Sequence, residues 1–168
     1  MGRFRIPQKP GSPYITPEGH RLLRNELDFL WRIKRPEVTR IVSAAAAQGD
    51  RSENADYIYG KKQLAEIDRR VRYLKRRLDN LIIVDQKPDN TKQVFFGAWV
   101  KLINKQKQTM TYRLVGCDEI DIAEENISID APLAKALLKK TIDDEITVSL
   151  PKGISCFQIV EVQYEKFL

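Results

Sequence analysis

Y-I-Y-G-K-K-Q-L-A-E-I-D-R-R-V-R-Y-L-K-R-R-L-D-N-L, residues 57 to 81, decides the fold. Tyr57, Leu64, Ile67, Val71, Leu74, Leu78 and Leu81 recur in steps of seven, three and four, which is the a/d seam of a coiled coil. The helical reading runs from Ile58 to Val84. A seam of this kind packs against another helix.

The stretch upstream supplies one. Thr16-Pro17-Glu18 offers a helix start: Thr16 as N-cap, Pro17 where its missing N–H costs nothing, and Glu18 near the positive end of the dipole. Leu23, Leu27 and Leu30 follow, and beyond Pro36 the seam resumes at Val38, Ile41 and Ala45, one residue later than a strict heptad places it. A proline inside a helix costs about 3 kcal/mol and bends it, so a kink or break is expected near Lys34 to Pro36. With a turn near Gln48 to Arg51 the two helices form an antiparallel hairpin. About 30 residues at roughly 1.5 Å each make it an arm about 45 Å long.

Beyond Val84 the pattern changes. Residues 85–92 read as a linker, and then V-F-F-G-A-W-V-K-L-I, T-M-T-Y-R-L-V-G, N-I-S-I-D, E-I-T-V-S-L and S-C-F-Q-I-V-E-V-Q-Y read as strands, with a short helix from Pro132 to Lys140. The fold class is α+β. An extended or disordered arm at 1–13 precedes a coiled-coil hairpin at 14–84 with its tip at 49–57, and a small domain of mainly antiparallel sheet occupies 93–168.

The chain has 168 residues, 42% of them hydrophobic, enough for a packed core. No stretch approaches the roughly 20 apolar residues of a membrane span, and M-G-R-F-R-I-P-Q-K-P-G-S-P lacks the apolar block of a signal peptide, so a cytoplasmic protein without a membrane partner is expected. Cys117 and Cys156 have no C-x-x-C spacing and His20 is the single histidine. The thiols read as packing residues and His20 as a surface or capping residue. The formal charge is +6, which points to an anionic partner.

G-D-R-S-E-N-A-D-Y, residues 49 to 57, occupies the far end of the arm. Asp50, Glu53 and Asp56 stand three residues apart, on neighbouring turns wherever the chain is helical. Asp50-x-x-Glu53 is the spacing of a capping box, with Asp50 as N-cap and Glu53 at N3. It is also a protruding carboxylate pair suited to complete a Mg²⁺ site that belongs to another molecule, since Mg²⁺ is usually held by one or two carboxylates plus waters and phosphates. The chain has no Gly-rich phosphate loop, no nucleophile with its base and no His-Cys metal cluster, which argues against a free-standing enzyme.

Between Lys61 and Arg77 eight basic residues stand against two acids, Glu66 and Asp68. Lys62, Arg69 and Arg76 recur at the f position, opposite the seam, where solvated charge is ordinary. The imbalance exceeds what pairs such as Glu66 with Arg70 neutralise, so contact with nucleic-acid phosphates is the stronger reading. Tyr73 is the one aromatic on this face, and such contact would not be sequence-specific.

Four motifs in order, G-D-R-S-E-N-A-D-Y, K-K-x-L-x-E-I-D-R-R-V-R-Y-L, F-F-G-A-W-V and I-S-I-D-A-P-L-A-K-A-L-L-K-K, closely resemble the bacterial Gre transcript-cleavage factors. The match runs from about Tyr14 to the C-terminus, and the basic helix and the S-I-D-x-P form lie nearer the GreB than the GreA branch. The resemblance implies a hairpin followed by an FKBP-like domain that docks at the rim of the RNA polymerase secondary channel. It implies that Asp50 and Glu53 help hold the second catalytic Mg²⁺ of the polymerase and orient the water that cuts the 3′ end of a backtracked transcript. No cofactor is then bound by the chain alone, and a monomer is expected. Ser52, Asn54, Asp56 and Tyr57 support the tip, and Arg51, Lys61, Lys62, Arg69, Arg70 and Arg76 are the bases offered to RNA. Ser128, Asp130 and Pro132 map to polymerase docking, although Asp130 and Pro132 also suit a helix cap with an early proline. Two departures stand out: the arm at 1–13 has no counterpart in the family pattern, and Cys156 replaces a less reactive residue. Rival readings are a basic coiled-coil module that binds polymerase or nucleic acid without promoting cleavage, and, on fold alone, a prolyl isomerase.

Overall fold

The structure, a computed structural model, describes residues 11–48, 54–150 and 153–167. Two compact units divide the chain: the part up to Gly19 joins the part from Ile82 onward, and His20–Leu81 forms the other.

The hairpin unit contains α1 (Pro17–Phe29), a π-helical turn (Leu30–Lys34), α2 (Arg35–Ala46) and α3 (Ala55–Leu78). Glu26 pairs with Arg70, Arg35 with Asp68, and Ala45 with Asn54, so α2 and α3 run antiparallel. The irregularity expected near Lys34 to Pro36 is a wider turn at Leu30–Lys34, without a break in the helix. There the N–H of Arg35 donates to the carbonyl of Leu30, five residues back, and this wider turn takes up the extra residue that shifted the seam. Pro36 then lies in the first turn of α2, where a missing N–H is tolerated. Val38, Ile67 and Val71 are buried together, with Leu27, Leu30, Val42 and Leu64 packed around them. Ile41, placed in the seam from sequence, is 48% exposed, and Val42 takes that place.

Both ends of the second helix also differ from expectation. It starts at Ala55 and stops at Leu78 instead of running from Ile58 to Val84. Ile82–Ile83 is an extended strand, β2, that pairs in parallel with β1 (Tyr14–Ile15). The N–H of Ile82 donates to the Pro13 carbonyl at 2.8 Å and that of Val84 to the Ile15 carbonyl at 2.9 Å. Of the arm expected at 1–13, residues 1–10 lie outside the described residues.

Thr16 caps α1 as anticipated: its hydroxyl accepts the Gly19 N–H at 3.0 Å. That hydroxyl and the Thr16 N–H both donate to the carboxylate of Glu119, which also accepts the Gly116 N–H. Glu119 thereby ties the start of α1 to the loop after β4.

The remaining elements are β3 (Trp99–Asn104), β4 (Thr109–Val115), β5 (Asn126–Ser128), α4 (Pro132–Leu137), β6 (Glu145–Leu150) and β7 (Gly153–Gln163). The sheet order is β5-β4-β3-β7-β6, antiparallel except for the β4–β5 pair. Opposite β3 the register jumps from Glu161 to Ile159. This bulge at Val160 changes which residues face inward: Phe157 and Ile159 are buried before it and Val162 after it. These side chains, with Val100, Leu102, Leu114, Ala134, Leu137, Ile146 and Val148, form the core of this unit. The short helix ends at Leu137, three residues earlier than expected, because Leu138 leaves helical geometry and Lys139 adopts a positive φ of 66°. Among the described residues no helix is long and apolar enough to cross a membrane.

Candidate functional site

Asp50, Arg51, Ser52 and Glu53 lie outside the described residues, so the tip is defined by what flanks it. Asn54 is the N-cap of α3. Its Oδ1 accepts the Tyr57 N–H at 3.0 Å, and its Nδ2 donates to the Ala45 carbonyl at 2.9 Å, near the end of α2. The asparagine side chain carries both a donor and an acceptor, and here one residue bonds a backbone group on each helix. The capping box assigned to Asp50 and Glu53 is therefore corrected: the cap of α3 is Asn54, four residues beyond Asp50. Asp56, exposed in the first turn, favours the positive end of the helix. Tyr57 is half-buried with Lys61 above its ring at 5.7 Å.

Gly60 explains how the two helices meet next to the tip. It is buried, and a Cβ there would sit 2.6 Å from Val42 Cγ2. A glycine inside a helix costs about 1 kcal/mol against alanine, a signal of close packing that was present in the sequence.

Along α3 the exposed bases differ in what they touch. Lys61, Lys62, Arg69, Arg70, Arg72, Lys75 and Arg76 are exposed. Arg70, grouped with them from sequence, holds Glu26 of α1 through two bonds of 2.7 and 2.8 Å and lies over Tyr73 at 5.3 Å. Arg70 thus forms a bridge between helices. Trp31 was not singled out in the sequence. It is half exposed, with Lys75 4.4 Å and Arg35 5.2 Å from its ring centre, and Arg35 also bonds Asp68 at 2.8 Å.

The second group of residues belongs to the other unit. Ser128 is buried, and its Oγ accepts the Asp130 N–H at 3.1 Å, so it orients Asp130 from within and is not itself on offer to a partner. Asp130 and Pro132 are exposed. Asp130 does not cap α4: Ala131 holds that position without a side-chain bond, while Pro132 opens the helix as read. Among the described residues no group of three or more His, Cys, Asp or Glu is placed to hold a metal.

Residues 13–83 match the N-terminal model of the transcription elongation factors GreA and GreB, and residues 88–164 match the GreA/GreB C-terminal model. The chain belongs to the GreA/GreB family. It is 52% identical to the transcription elongation factor GreB of Pseudomonas aeruginosa over 164 residues, 98% of each chain. With GreB of Yersinia pestis it shares 56% identity over 156 residues, 93% of this chain and 91% of that one. A solved GreA/GreB structure from Nitrosomonas europaea matches with a TM-score of 0.42 and 22% identity, covering 91% of this chain and 100% of that one. The resemblance carried by the four sequence motifs is therefore that of a GreB-type Gre factor, an elongation factor of transcription.

Proposed function

We propose that this Gre factor binds RNA polymerase, passes its hairpin into the secondary channel, and stimulates the polymerase to cut the 3′ end of backtracked RNA. The observation that carries this reading is Asn54. Because it caps α3, the start of that helix does not require a capping box from Asp50-x-x-Glu53. Two carboxylates that precede a helix start in sequence supply hard oxygen donors in a number that completes a Mg²⁺ site rather than builds one. The magnesium, held at the polymerase active centre, polarises the phosphate and lowers the pKa of bound water. Asp50 and Glu53 act as added ligands and as acceptors that orient the attacking water. The exposed bases of α3 lie along the backbone of the extruded RNA, where opposite charge steers phosphates without reading sequence.

The carboxy unit, a small sheet with one short helix packed on its core, is the FKBP-like docking module of this reading, with Asp130 and Pro132 on its surface. The chain is a cofactor protein that acts as a monomer in the cytoplasm. The test is cleavage of the transcript in a stalled, backtracked complex over a range of Mg²⁺, comparing wild type with Asp50→Asn/Glu53→Gln. Wild type shortens the RNA from its 3′ end; the double variant binds polymerase equally and leaves the RNA intact. Equal cleavage by both refutes the metal role, and failure of both despite binding identifies a non-cleaving channel regulator.

A further inference from the structure

Asp130 has one carboxylate oxygen held and the other open. Its Oδ2 accepts the backbone N–H of Ser12 at 2.8 Å, across 118 residues of sequence, and among the described residues Oδ1 has no hydrogen-bond partner. The backbone beside it is fixed from the opposite side, since Ser128 Oγ takes the Asp130 N–H and the Ser128 carbonyl takes the Ala131 N–H at 2.9 Å. The segment that brings Ser12 here is itself anchored on both sides. The Pro13 carbonyl is bound by the Ile82 N–H, and the Cys117 thiol lies 3.7 Å from the Ser12 carbonyl. Gly11 permits the approach: a Cβ there would collide with Cys117 Sγ and lie 3.4 Å from Asp130 Oδ2.

We infer that the Ser12 N–H is a positioning group for polymerase docking: it holds Asp130 Oδ2 so that Oδ1 is presented, in one rotamer, to a cationic or N–H donor of the polymerase. The inference rests on the docking role of Asp130 given above. A free surface aspartate must be ordered when its partner arrives, whereas one held in advance skips that cost, an advantage of about two- to tenfold in affinity for one immobilised side chain. The segment just before Tyr14 thereby has a task within the docking surface.

The experiment titrates polymerase with wild type, Ser12→Ala, Ser12→Pro, Asp130→Ala and the Ser12→Pro/Asp130→Ala pair, each checked by thermal unfolding. Ser12→Ala keeps the N–H and binds as wild type. Ser12→Pro lacks it and binds about two- to tenfold more weakly, while the pair binds no more weakly than Asp130→Ala alone. In the free protein, Asp130→Ala moves the Ser12 amide proton resonance. If proline lowers the unfolding temperature, binding of all five proteins is compared at a temperature where each is fully folded, and the same ranking is expected. Wild-type affinity of the variants lacking the N–H, or losses that simply add in the pair, overturns the positioning role and leaves docking through Asp130 standing. Wild-type affinity of Asp130→Ala overturns both.

Discussion

Asn54 concentrates two tasks in one side chain, and they can be separated. Asn54→Asp keeps the acceptor for Tyr57 N–H and loses the donor to the Ala45 carbonyl; Asn54→Ala loses both. Loss of an N-cap costs about 1 kcal/mol, so thermal unfolding should rank wild type above aspartate and aspartate above alanine, with transcript cleavage falling in the same order. Tyr164 is the corresponding residue in the carboxy unit. Its hydroxyl donates to the Gln93 carbonyl at 2.7 Å and accepts the Phe95 N–H at 3.0 Å. Burial raises the phenol above its ordinary value of 10.0, opposed in part by the Phe95 N–H. The folded state therefore prefers the neutral phenol. The stability it contributes is fully present below pH 10.0 and is lost as the pH rises through the raised folded value. Urea midpoints measured from about pH 9 to about pH 11 should fall more steeply for wild type than for Tyr164→Phe. At neutral pH the variant should be less stable by about 1 kcal/mol.

The hairpin's apolar period was readable except at Ile41, including the one-residue slip after Leu30, but the way the chain absorbs that slip was not. A proline in a helical pattern signals a break when only the lost N–H is weighed. The packing of Leu30 and Val38 on one cluster favours a wide turn that keeps both in the seam. Deleting Ile33, which is 59% exposed, should shorten the Leu30-to-Val38 interval to a heptad and let α1 and α2 join as one α-helix. Unchanged or raised helicity by circular dichroism with an unlowered unfolding temperature supports this; a collapse of the hairpin refutes it. The basic face shows the other limit of sequence reading. Charge counts cannot say which arginine is engaged, because Glu26 lies 44 residues from Arg70. Arg70→Ala should lower stability by about 0.5–1 kcal/mol with little effect on RNA contact. Lys62→Glu and Arg69→Glu should weaken crosslinking to the transcript 3′ end and leave the unfolding temperature unchanged.

For the molecule as a whole, the strands of the carboxy half were visible as Val- and Ile-rich runs. The parallel β1–β2 pair was not, since two residues carry no period and only three-dimensional proximity joins them. Its Glu119 neighbour was missed for the same reason: one of three acids in D-E-I-D gives no hint that it receives three donors from Thr16 and Gly116. The β1–β2 pairing joins Tyr14 to Ile82, so the domain that begins the chain is interrupted by the hairpin and completed after it. On the ribosome, at roughly 5–20 residues per second, the first strand emerges several seconds before its partner exists. The hairpin, made of local contacts, can fold during that wait, whereas β1 must stay unpaired until the later segment arrives. Synthesis therefore imposes an order of assembly: the arm is complete before the domain on either side of it in sequence can close.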